Sequence, residues 1–519
     1  MKTIMKRIKH IALAFIGLTL VMACEDEFLD LTNPNEIVAE NFYTNVDNFE
    51  YSLNSVYSAT KSIDLFGQAF YVQTLLALPH TSDYWNAQCR NEVTSGDGNL
   101  YLAWRGWYRV VARANDLIEN APIFTDKYAP NETEKAELDL ILGQAHFLRG
   151  FAYFHMVRLW GEAGFAEDST KLSVPLHLKV ATTRDDMMKE RASVGRVYNQ
   201  IVEDLKMAES LLPPSWNDDN IARATSWAAK GYLGKVYLYM EDYDQSKAYF
   251  EEVINSGNFS LLDFQGVDDM FQGKQEFSDE TIFELSYTID MQQNIWENGL
   301  GSGIALTLAP PGRGWSNCTP HGVNIFRFGN DPRLKISTYA PEDSAANVDG
   351  TMVPVGESEF NYTGHSFRKY VPEDYSVYST NRNSGINFVN MRLSDVYLMY
   401  AEVLNNTGND ALAAEFMNKV RRRAYGFNPN TPEGSVDYAV SGVQLRDSIR
   451  EERFRELFAE GHRWYDIVRW GIVQEEVMKY NDFRVTQGEI IYDDKDYYYP
   501  VPLQEIDNNP NMTPSTGYE

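Results

Sequence analysis

Apolar residues recur at helical spacing over long stretches of this chain, and this periodicity constrains its fold more than any other feature. In "YLAWRGWYRVVARANDLIEN" the side chains that share one helical face are those of Trp104, Tyr108, Val111, Asn115 and Ile118. Such a face has to be buried against another element. The stretch therefore predicts a long helix inside a helical core.

Two further stretches predict helices with defined ends. "AELDLILGQAHFLRGFAYFHMVRLWG" carries an apolar stripe that begins at Leu138, and Gly161 and Gly164 stop the helix. "SVGRVYNQIVEDLKMAESLLPP" begins at Ser193, a suitable N-cap residue, and closes at Pro213-Pro214, which cannot continue a helix.

Two later stretches share the pattern of a tetratricopeptide-type helical hairpin. They are "KGYLGKVYLYMEDYDQSKAYFEEVINSG" and "YLMYAEVLNNTGNDALAAEFMNKV". The first places small residues at Gly234 and Ser246, and the second places Ala401 and Ala413 at the same separation. Small residues at these positions let two helices approach closely, so the pattern predicts stacked helical pairs.

The N-terminus reads as a lipoprotein signal. A basic start and the apolar run 11–22 come before "LTLVMACEDEFLD". The run is shorter than the roughly 20 residues of a membrane span, but it fits a secretory signal. Cleavage before Cys24 would leave a cysteine that acyl chains anchor to a membrane. The alternative is an ordinary secretory signal with an incidental cysteine.

Between residues 260 and 390 the helical periodicity is lost. Gly, Asn, Pro and Ser dominate this segment, and short strand-like runs such as "TIFELSYT" appear. A long irregular insertion in a helical scaffold is usually functional or disordered, and its tryptophans favour order. We predict a mainly α fold, in which a tetratricopeptide-like helical hairpin scaffold carries a large, loop-rich, mixed α/β insertion with the ligand site. The predicted division is a signal peptide (1–23), a lipidated tether (24–40), an N-terminal helical scaffold (41–259), the insertion (260–390) and a C-terminal helical region (391–519) packed with the rest as one globular unit.

Charge and composition exclude some classes of partner. The formal net charge of −28 argues against nucleic acid and against electrostatic adhesion to an anionic membrane. Aromatic residues make up 13% of the chain, which suits either a large core or a sugar-binding surface.

Seven stretches, taken in their order, resemble the SusD/RagB family of nutrient-binding outer-membrane lipoproteins. They are "CEDEFLD", "QAHFLRGFAYFHMVRLWG", "VYNQIVEDLKMAESLLP", "RATSWAAKGYLGKVYLYMEDYDQSKAYFEEVI", "RLSDVYLMYAEVLN", "IREERFRELFAEGHRWYDIVRWG" and "YYYPVPLQEIDNNPNM". The resemblance implies a protein that captures glycans or other nutrients at the cell surface without cleaving them. It also implies a partner, a SusC-like TonB-dependent transporter barrel on which the protein sits as a lid. The acidic run after Cys24 resembles the surface-export signal of such lipoproteins, so the expected location is the outer membrane, lipid-anchored and exposed at the surface.

The charged stretch "RDSIREERFRELFAEGHRWYDIVRWG" is predicted to be scaffold and not a catalytic site. Glu452 and Glu456 are expected to pair with arginines one helical turn away, and Gly461 suits a C-cap. A second buried helix is expected to follow at Trp464, Ile467 and Val468. The apolar face of the first helix consists of Ile449, Phe454, Leu457 and Phe458.

Enzyme signatures do not appear in the sequence. There is no HExxH, P-loop or EF-hand motif, and the eight histidines never adopt a zinc-ligand spacing. A glycosidase needs two carboxylates roughly 5–10 Å apart, and nothing in the sequence marks such a pair. We therefore predict a protein that is not an enzyme and that has no cofactor and no metal site.

Two loops are candidates for the sugar-binding surface. In "HTSDYWNAQCR" the candidate residues are Asp83, Tyr84, Trp85, Asn86 and Arg90. In the insertion they are Trp296, together with Arg313, Trp315 and Asn317 of "PPGRGWSNC". A flat aromatic ring can stack on a pyranose, while Asn, Asp and Arg side chains recognise hydroxyls. The family resemblance implies that an early loop and the insertion form the ligand surface together. The alternative is that each tryptophan packs a local minicore.

The remaining tryptophans and cysteines give two more expectations. Six tryptophans lie within helical stripes and are predicted to be core residues: Trp104, Trp107, Trp160, Trp227, Trp464 and Trp470. Cys89 and Cys318 lie near the two candidate loops, so a disulfide between them would hold the loops together and lower the entropy cost of binding. The alternative is two unrelated buried thiols.

The predicted function is capture of an oligosaccharide and its delivery to a transporter barrel. The acidic composition favours a neutral ligand, although Arg90 and Arg313 leave uronates open. Three rivals also stay open at this point: a repeat-type scaffold that binds a protein, a binder of a peptide nutrient, and a lipid-anchored hydrolase.

Overall fold

The computed structural model describes residues 42–66, 93–288, 301–310, 314, 319–346, 351–354, 364–373, 384–481 and 493–519. Their α-helices are α1 Val46–Thr60, α2 Gly98–Tyr128, α3 Glu132–Trp160, α4 Phe165–Asp168, α5 Arg184–Met187, α6 Val194–Leu211, α7 Ser226–Tyr239, α8 Tyr243–Asn255, α9 Phe264–Phe271, α10 Ile304–Leu308, α11 Gly322–Phe328, α12 Leu334–Ser337, α13 Leu393–Asn406, α14 Asp410–Ala424, α15 Gly442–Glu456, α16 Arg463–Arg469, α17 Val473–Asn481 and α18 Leu503–Asn508. The strands are β1 Thr281–Leu285, β2 Thr338–Tyr339, β3 Ser344–Ala346, β4 Met352–Pro354, β5 Ser366–Phe367 and β6 Phe388–Arg392.

The long helices α2 and α6 both pack against α3, and the three helices carry the N-terminal part of the core. Their ends agree with the sequence predictions. The backbone of Gly161 caps α3 by donating to the Val157 carbonyl, and the Ser193 hydroxyl accepts from Arg196 N at the start of α6. The rings of Trp104 and Trp160 meet edge to face at 5.0 Å.

The two predicted hairpins are present as α7–α8 and α13–α14, and they stack through α8 and α13. The Ser246 hydroxyl donates to the Gly234 carbonyl across the first hairpin at 2.8 Å. The Tyr400 hydroxyl donates to Glu251 at 2.7 Å and joins the second hairpin to the first. The close approach predicted from small residues is therefore observed at Gly234 and Ser246 of the first hairpin.

Gly234 sets the separation of α7 and α8. A Cβ at this position would lie 2.6 Å from the ring of Phe250, which is fully buried. Overpacking of this kind costs about 1–3 kcal/mol, and better helix propensity returns about 1 kcal/mol. We expect Gly234→Ala to lower the free energy of unfolding by up to about 2 kcal/mol in urea titrations. Gly98→Ala is the matched control, because its Cβ meets open space within a helix, and an equal loss in both variants would contradict the prediction.

Residues 260–390 contain short elements. The predicted strand "TIFELSYT" is confirmed as β1, which pairs antiparallel with β6. Two smaller ribbons, β2–β5 and β3–β4, lie between these strands in the chain. Because β6 leads directly into α13, the insertion is joined to the second hairpin without a linker. The predicted boundaries at 259 and 390 stay predictions.

Several sequence predictions for the C-terminal region are wrong in detail. Helix α15 ends at Glu456, and Gly461 lies in the following turn with φ +79°. Glu452 and Glu456 do not pair one turn away. Their partners are Arg333 and Arg421 for Glu452, and Arg333, Arg392 and Arg423 for Glu456. Both carboxylates are buried and face elements other than their own helix, so cations from those elements pair with them. The stretch is nevertheless built as the predicted scaffold, with Ile449, Phe454, Leu457 and Phe458 buried.

Four of the six tryptophans predicted to be core residues are fully buried, namely Trp104, Trp107, Trp160 and Trp464. Trp227 and Trp470 are only partly buried. The indole of Trp470 donates to Glu402 at 2.9 Å, so it combines packing with a polar contact at the edge of the core. None of the described helices has the length and apolar character that a membrane crossing requires.

Candidate ligand-binding site

The residues predicted to bind ligand lie outside the described part of the chain. Asp83, Tyr84, Trp85, Asn86, Cys89 and Arg90 belong to segment 67–92, Trp296 to 289–300, Arg313 to 311–313, and Trp315, Asn317 and Cys318 to 315–318. Cys24 also lies outside it. The described residues that flank these segments show how the segments are anchored.

The starts of segments 67–92 and 289–300 are joined by direct contacts. After α1 ends, the ammonium of Lys61 donates to the Ser286 carbonyl at 2.9 Å. The Tyr287 hydroxyl donates in return to the Lys61 carbonyl at 3.3 Å. Burial lowers the pKa of Lys61, as expected for an ammonium that ties two backbone segments together in the interior. The chain therefore enters both segments from one place.

Aromatic packing joins the end of the first described segment to residues near the end of the insertion. The ring of Phe66, the last described residue before segment 67–92, lies 4.9 Å from the ring of Phe388. Phe388 stacks in turn on Tyr370 at 5.1 Å, and Tyr370 lies just before segment 374–383. The backbone of Tyr287 donates to the Asn387 side chain at 2.8 Å.

A bridge between two serines closes the arrangement. Ser302, after segment 289–300, and Ser384, after segment 374–383, exchange backbone hydrogen bonds of 2.8 and 2.9 Å. The flanks of segments 67–92, 289–300 and 374–383 thus meet in one region. We call this region the stem cluster: Lys61, Phe66, Tyr287, Ser302, Tyr370, Ser384 and Phe388.

The segment that contains Trp315 and Asn317 is anchored differently. It follows α10, whose residues are all buried and whose start lies next to Ser302 of the stem cluster. The backbone of Gly314 donates to the Pro310 carbonyl at 3.2 Å, and a Cβ there would lie 2.4 Å from the Leu306 carbonyl oxygen. Only glycine fits at this position, so the chain turns tightly back on α10 just before Trp315.

The sequence reasoning did not find a buried carboxyl group behind the stem cluster. Glu284 of β1 accepts from Phe277 N at 2.5 Å and from the Asn387 amide at 3.2 Å. Its other oxygen, Oε2, has no hydrogen-bond partner among the described residues. Burial raises the pKa of Glu284 to about 7, and the nearby Glu276 carboxylate adds to the effect. A charged residue within a strand that is otherwise apolar is the one signal that the sequence offered.

No group of three or more His, Cys, Asp or Glu side chains is arranged to hold a metal ion among the described residues.

The contacts of the stem cluster bring together the stems of three segments, two of which carry predicted stacking tryptophans. An arrangement of this kind suits non-covalent capture of an extended ligand across several loops.

Comparison with known proteins identifies the family. A profile of the SusD family matches residues 306–518, and a profile described as "Starch-binding associating with outer membrane" matches residues 27–238. The chain belongs to the SusD family. The recognition made from the sequence motifs is thus confirmed, and the second description associates proteins of this kind with the outer membrane.

Members of the SusD family resemble this chain over most of its length. SusD-like protein P25 of Formosa agariphila is 25% identical over 95% of both chains. The starch-binding protein SusD of Bacteroides thetaiotaomicron is 29% identical over 72% of both chains. A solved laminarin-binding SusD-like protein superposes with a TM-score of 0.71 at 22% identity, over 92% of this chain and all of its own. This likeness confirms the mainly helical fold, with which the tetratricopeptide-like hairpins are compatible.

Proposed function

We propose that this chain is a cell-surface, glycan-binding lipoprotein that captures oligosaccharide and delivers it, uncleaved, to a TonB-dependent outer-membrane transporter. The observation that carries the proposal is the stem cluster. Its contacts among Lys61, Ser286 and Tyr287 join the described residues that precede segments 67–92 and 289–300. These segments contain Trp85 and Trp296. Membership of the SusD family, with one relative named for starch binding and one structure for laminarin binding, supports the same ligand class.

The proposed ligand surface combines ring stacking with hydroxyl recognition. Trp85, Trp296 and Trp315 supply flat faces for pyranose rings, and Tyr84 adds a further ring at the first loop. Amides and charged groups supply hydrogen bonds to the hydroxyls, namely Asp83, Asn86, Arg90, Arg313 and Asn317. A fixed scaffold next to a binding surface lowers the ordering cost of binding. A Cys89–Cys318 disulfide would add to this effect.

The anchor and the partner complete the proposal. Acylation of Cys24 would hold the protein at the outer membrane, and the tether 24–40 would let the globular part reach the transporter. The protein acts by holding the ligand next to the barrel, and no bond of the glycan is broken.

The proposal is tested by affinity electrophoresis of the protein without its lipid, residues 25–519, against a panel of polysaccharides. We expect retardation by at least one glycan, and we expect Trp85→Ala and Trp315→Ala each to weaken it by about 2 kcal/mol, roughly thirtyfold in Kd. Phe326→Ala is the matched control, because this phenylalanine is 80% exposed on α11 and lies outside the predicted loops.

Three outcomes would contradict the proposal. If no glycan retards the protein and a peptide or protein ligand is captured in its place, the binding class is different. If both tryptophan variants bind like Phe326→Ala, the glycan binds elsewhere on the surface. Release of shorter sugars from the panel would show that the chain is a hydrolase.

A further inference from the structure

A small pocket of about 20 Å³ lies next to the stem cluster. Phe66 and Phe388 of that cluster form part of its wall. The polar part of the wall includes Arg158 of α3, Lys235 of α7, Glu460 and Tyr465. The volume is enough for one water molecule or one monatomic ion.

Arg158 is a buried cation that has no anionic partner among the described residues. Among the buried arginines and lysines of the described residues, it alone has no carboxylate oxygen within 4.0 Å. Its Nε donates to the Phe154 carbonyl at 3.0 Å, and Nη2 lies 2.8 Å from His155 Nδ1. Burial keeps the pKa of His155 well below its ordinary value, so this imidazole is neutral and does not offset the charge.

The faces of the Arg158 guanidinium are covered by aromatic rings. The Tyr465 ring lies 3.8 Å and the Phe154 ring 4.1 Å from its central carbon. Cation–π contacts of this kind offset only part of the free-energy cost of burying an uncompensated charge. The guanidinium therefore still lacks a counter-ion.

The other charges on the cavity wall are already paired within the protein. Lys235 donates to Asp395 Oδ2 at 3.1 Å, and Glu460 is held by Lys369 and Arg392 at 2.7 and 2.8 Å. The unmatched charge at the cavity is thus the positive charge of Arg158.

A second, independent observation at the same cavity is the hydroxyl of Tyr465. The hydroxyl of Tyr465 is buried and has no hydrogen-bond partner among the described residues. The residue is only 3% exposed and belongs to the cavity wall. A buried hydroxyl without a hydrogen-bond partner destabilises the folded protein. It needs an acceptor, and an anion supplies one.

We propose that this cavity binds a chloride-sized monovalent anion, held by the Arg158 guanidinium and the Tyr465 hydroxyl, with the Lys235 ammonium adding favourable charge. A halide is only slightly larger than water, so it fits the volume, and it compensates the positive charge of Arg158. Because Phe66 and Phe388 also belong to the cavity wall, the anion stabilises the packing of the stem cluster. The inference is independent of the proposed glycan binding.

Crystals soaked in sodium bromide test the site directly. We expect an anomalous bromide peak in the cavity, within hydrogen-bond distance of Tyr465 Oη. In solution, we expect the thermal midpoint to rise by roughly 1–3 °C in sodium chloride relative to sodium gluconate at equal ionic strength, because gluconate is too large to enter.

Tyr465→Phe removes the hydroxyl without changing the volume of the ring. We expect the chloride concentration that gives half of the stabilisation to be about tenfold higher, or more, in this variant than in the wild type. Tyr198→Phe is the matched control, because this tyrosine is buried against Phe154 but does not line the cavity. Water alone in the cavity after the bromide soak, equal midpoints in chloride and gluconate, or equal effects of the two phenylalanine variants would each overturn the proposal.

Discussion

Replacement of Arg392 by methionine is expected to lower the free energy of unfolding by about 3–5 kcal/mol, because it removes one partner of a buried ion network. Arg392 is 1% exposed. Its guanidinium donates to Glu280 at 2.8 Å, to Glu456 at 2.6 Å and to Glu460 at 2.9 and 2.8 Å. These three carboxylates are also buried, so no water replaces the lost donors.

The remaining cations do not compensate the loss. Glu280 would keep Arg423, and Glu460 would keep Lys369. Although burial opposes their ionisation, the surrounding cations now hold the pKa of Glu456 and Glu460 below the ordinary value. Without Arg392, part of this electrostatic stabilisation is lost while the desolvation penalty remains.

Urea titrations followed by tyrosine and tryptophan fluorescence measure this loss. Arg446→Met is the matched control, since Arg446 forms an exposed pair with Asp447 at 3.0 Å. Exposed pairs contribute about 0–1 kcal/mol. A loss in Arg392→Met no greater than that in Arg446→Met would show that the buried network contributes no more than a surface pair.

The network has a structural consequence for the proposed site. Arg392 ends β6, and Glu280 comes immediately before β1. Glu456 is the last residue of α15, and Glu460 lies in the turn that follows. The ion pairs therefore fix the β1–β6 ribbon of the insertion to the helical scaffold. Since Tyr287 and Phe388 of the stem cluster lie on this ribbon or beside it, the same contacts determine where the loop segments emerge.

Local signals in the sequence were enough to predict most of the helical scaffold. The N-cap at Ser193, the stop at Gly161 and the small residue at Gly234 each act on neighbouring residues or on the adjacent helix. Periodicity and helix-end signals depend on interactions between residues that are close in the sequence, so a single sequence reveals them.

The long-range contacts were not predictable in the same way. Lys61 and Ser286 are 225 positions apart, and their hydrogen bond involves a backbone carbonyl that carries no sequence signal. Likewise, the helical spacing of Glu452 and Glu456 indicated arginines one turn away, whereas burial selected Arg333 from the insertion for both. The ligand-binding roles of Trp85, Trp296 and Trp315 stay predictions.

Stability is expected to depend on pH through Glu284, with a sign opposite to that of most carboxylates. Its pKa is about 7 in the folded protein against an ordinary value of 4.5. Between these values the folded protein holds a proton that the unfolded chain has released, so stability falls as pH rises through this window. The difference between 4.5 and about 7 corresponds to roughly 3 kcal/mol, of which we expect about 2–3 kcal/mol to be lost between pH 5 and pH 8.

Buried histidines contribute in the opposite direction, so the effect has to be measured as a difference. Burial lowers the pKa of His177 and His462 to about 4, and the unfolded chain therefore binds more protons as pH falls below about 6.5. These histidines are the same in the wild type and in Glu284→Gln, and their contribution cancels between the two proteins.

The expected result is that Glu284→Gln gains stability relative to the wild type by about 2–3 kcal/mol between pH 5 and pH 8. Glutamine retains the acceptor for Phe277 N and the Asn387 amide but carries no charge to desolvate. Urea titrations at several pH values measure this gain, with Glu137→Gln at an exposed position of α3 as control. A stability difference that is the same at pH 5 and pH 8 would mean that Glu284 is ionised throughout and is stabilised by contacts other than those described. A difference that grows with pH would identify this carboxyl, behind the stems of the ligand loops, as a group that loosens the β1–β6 ribbon in alkaline surroundings.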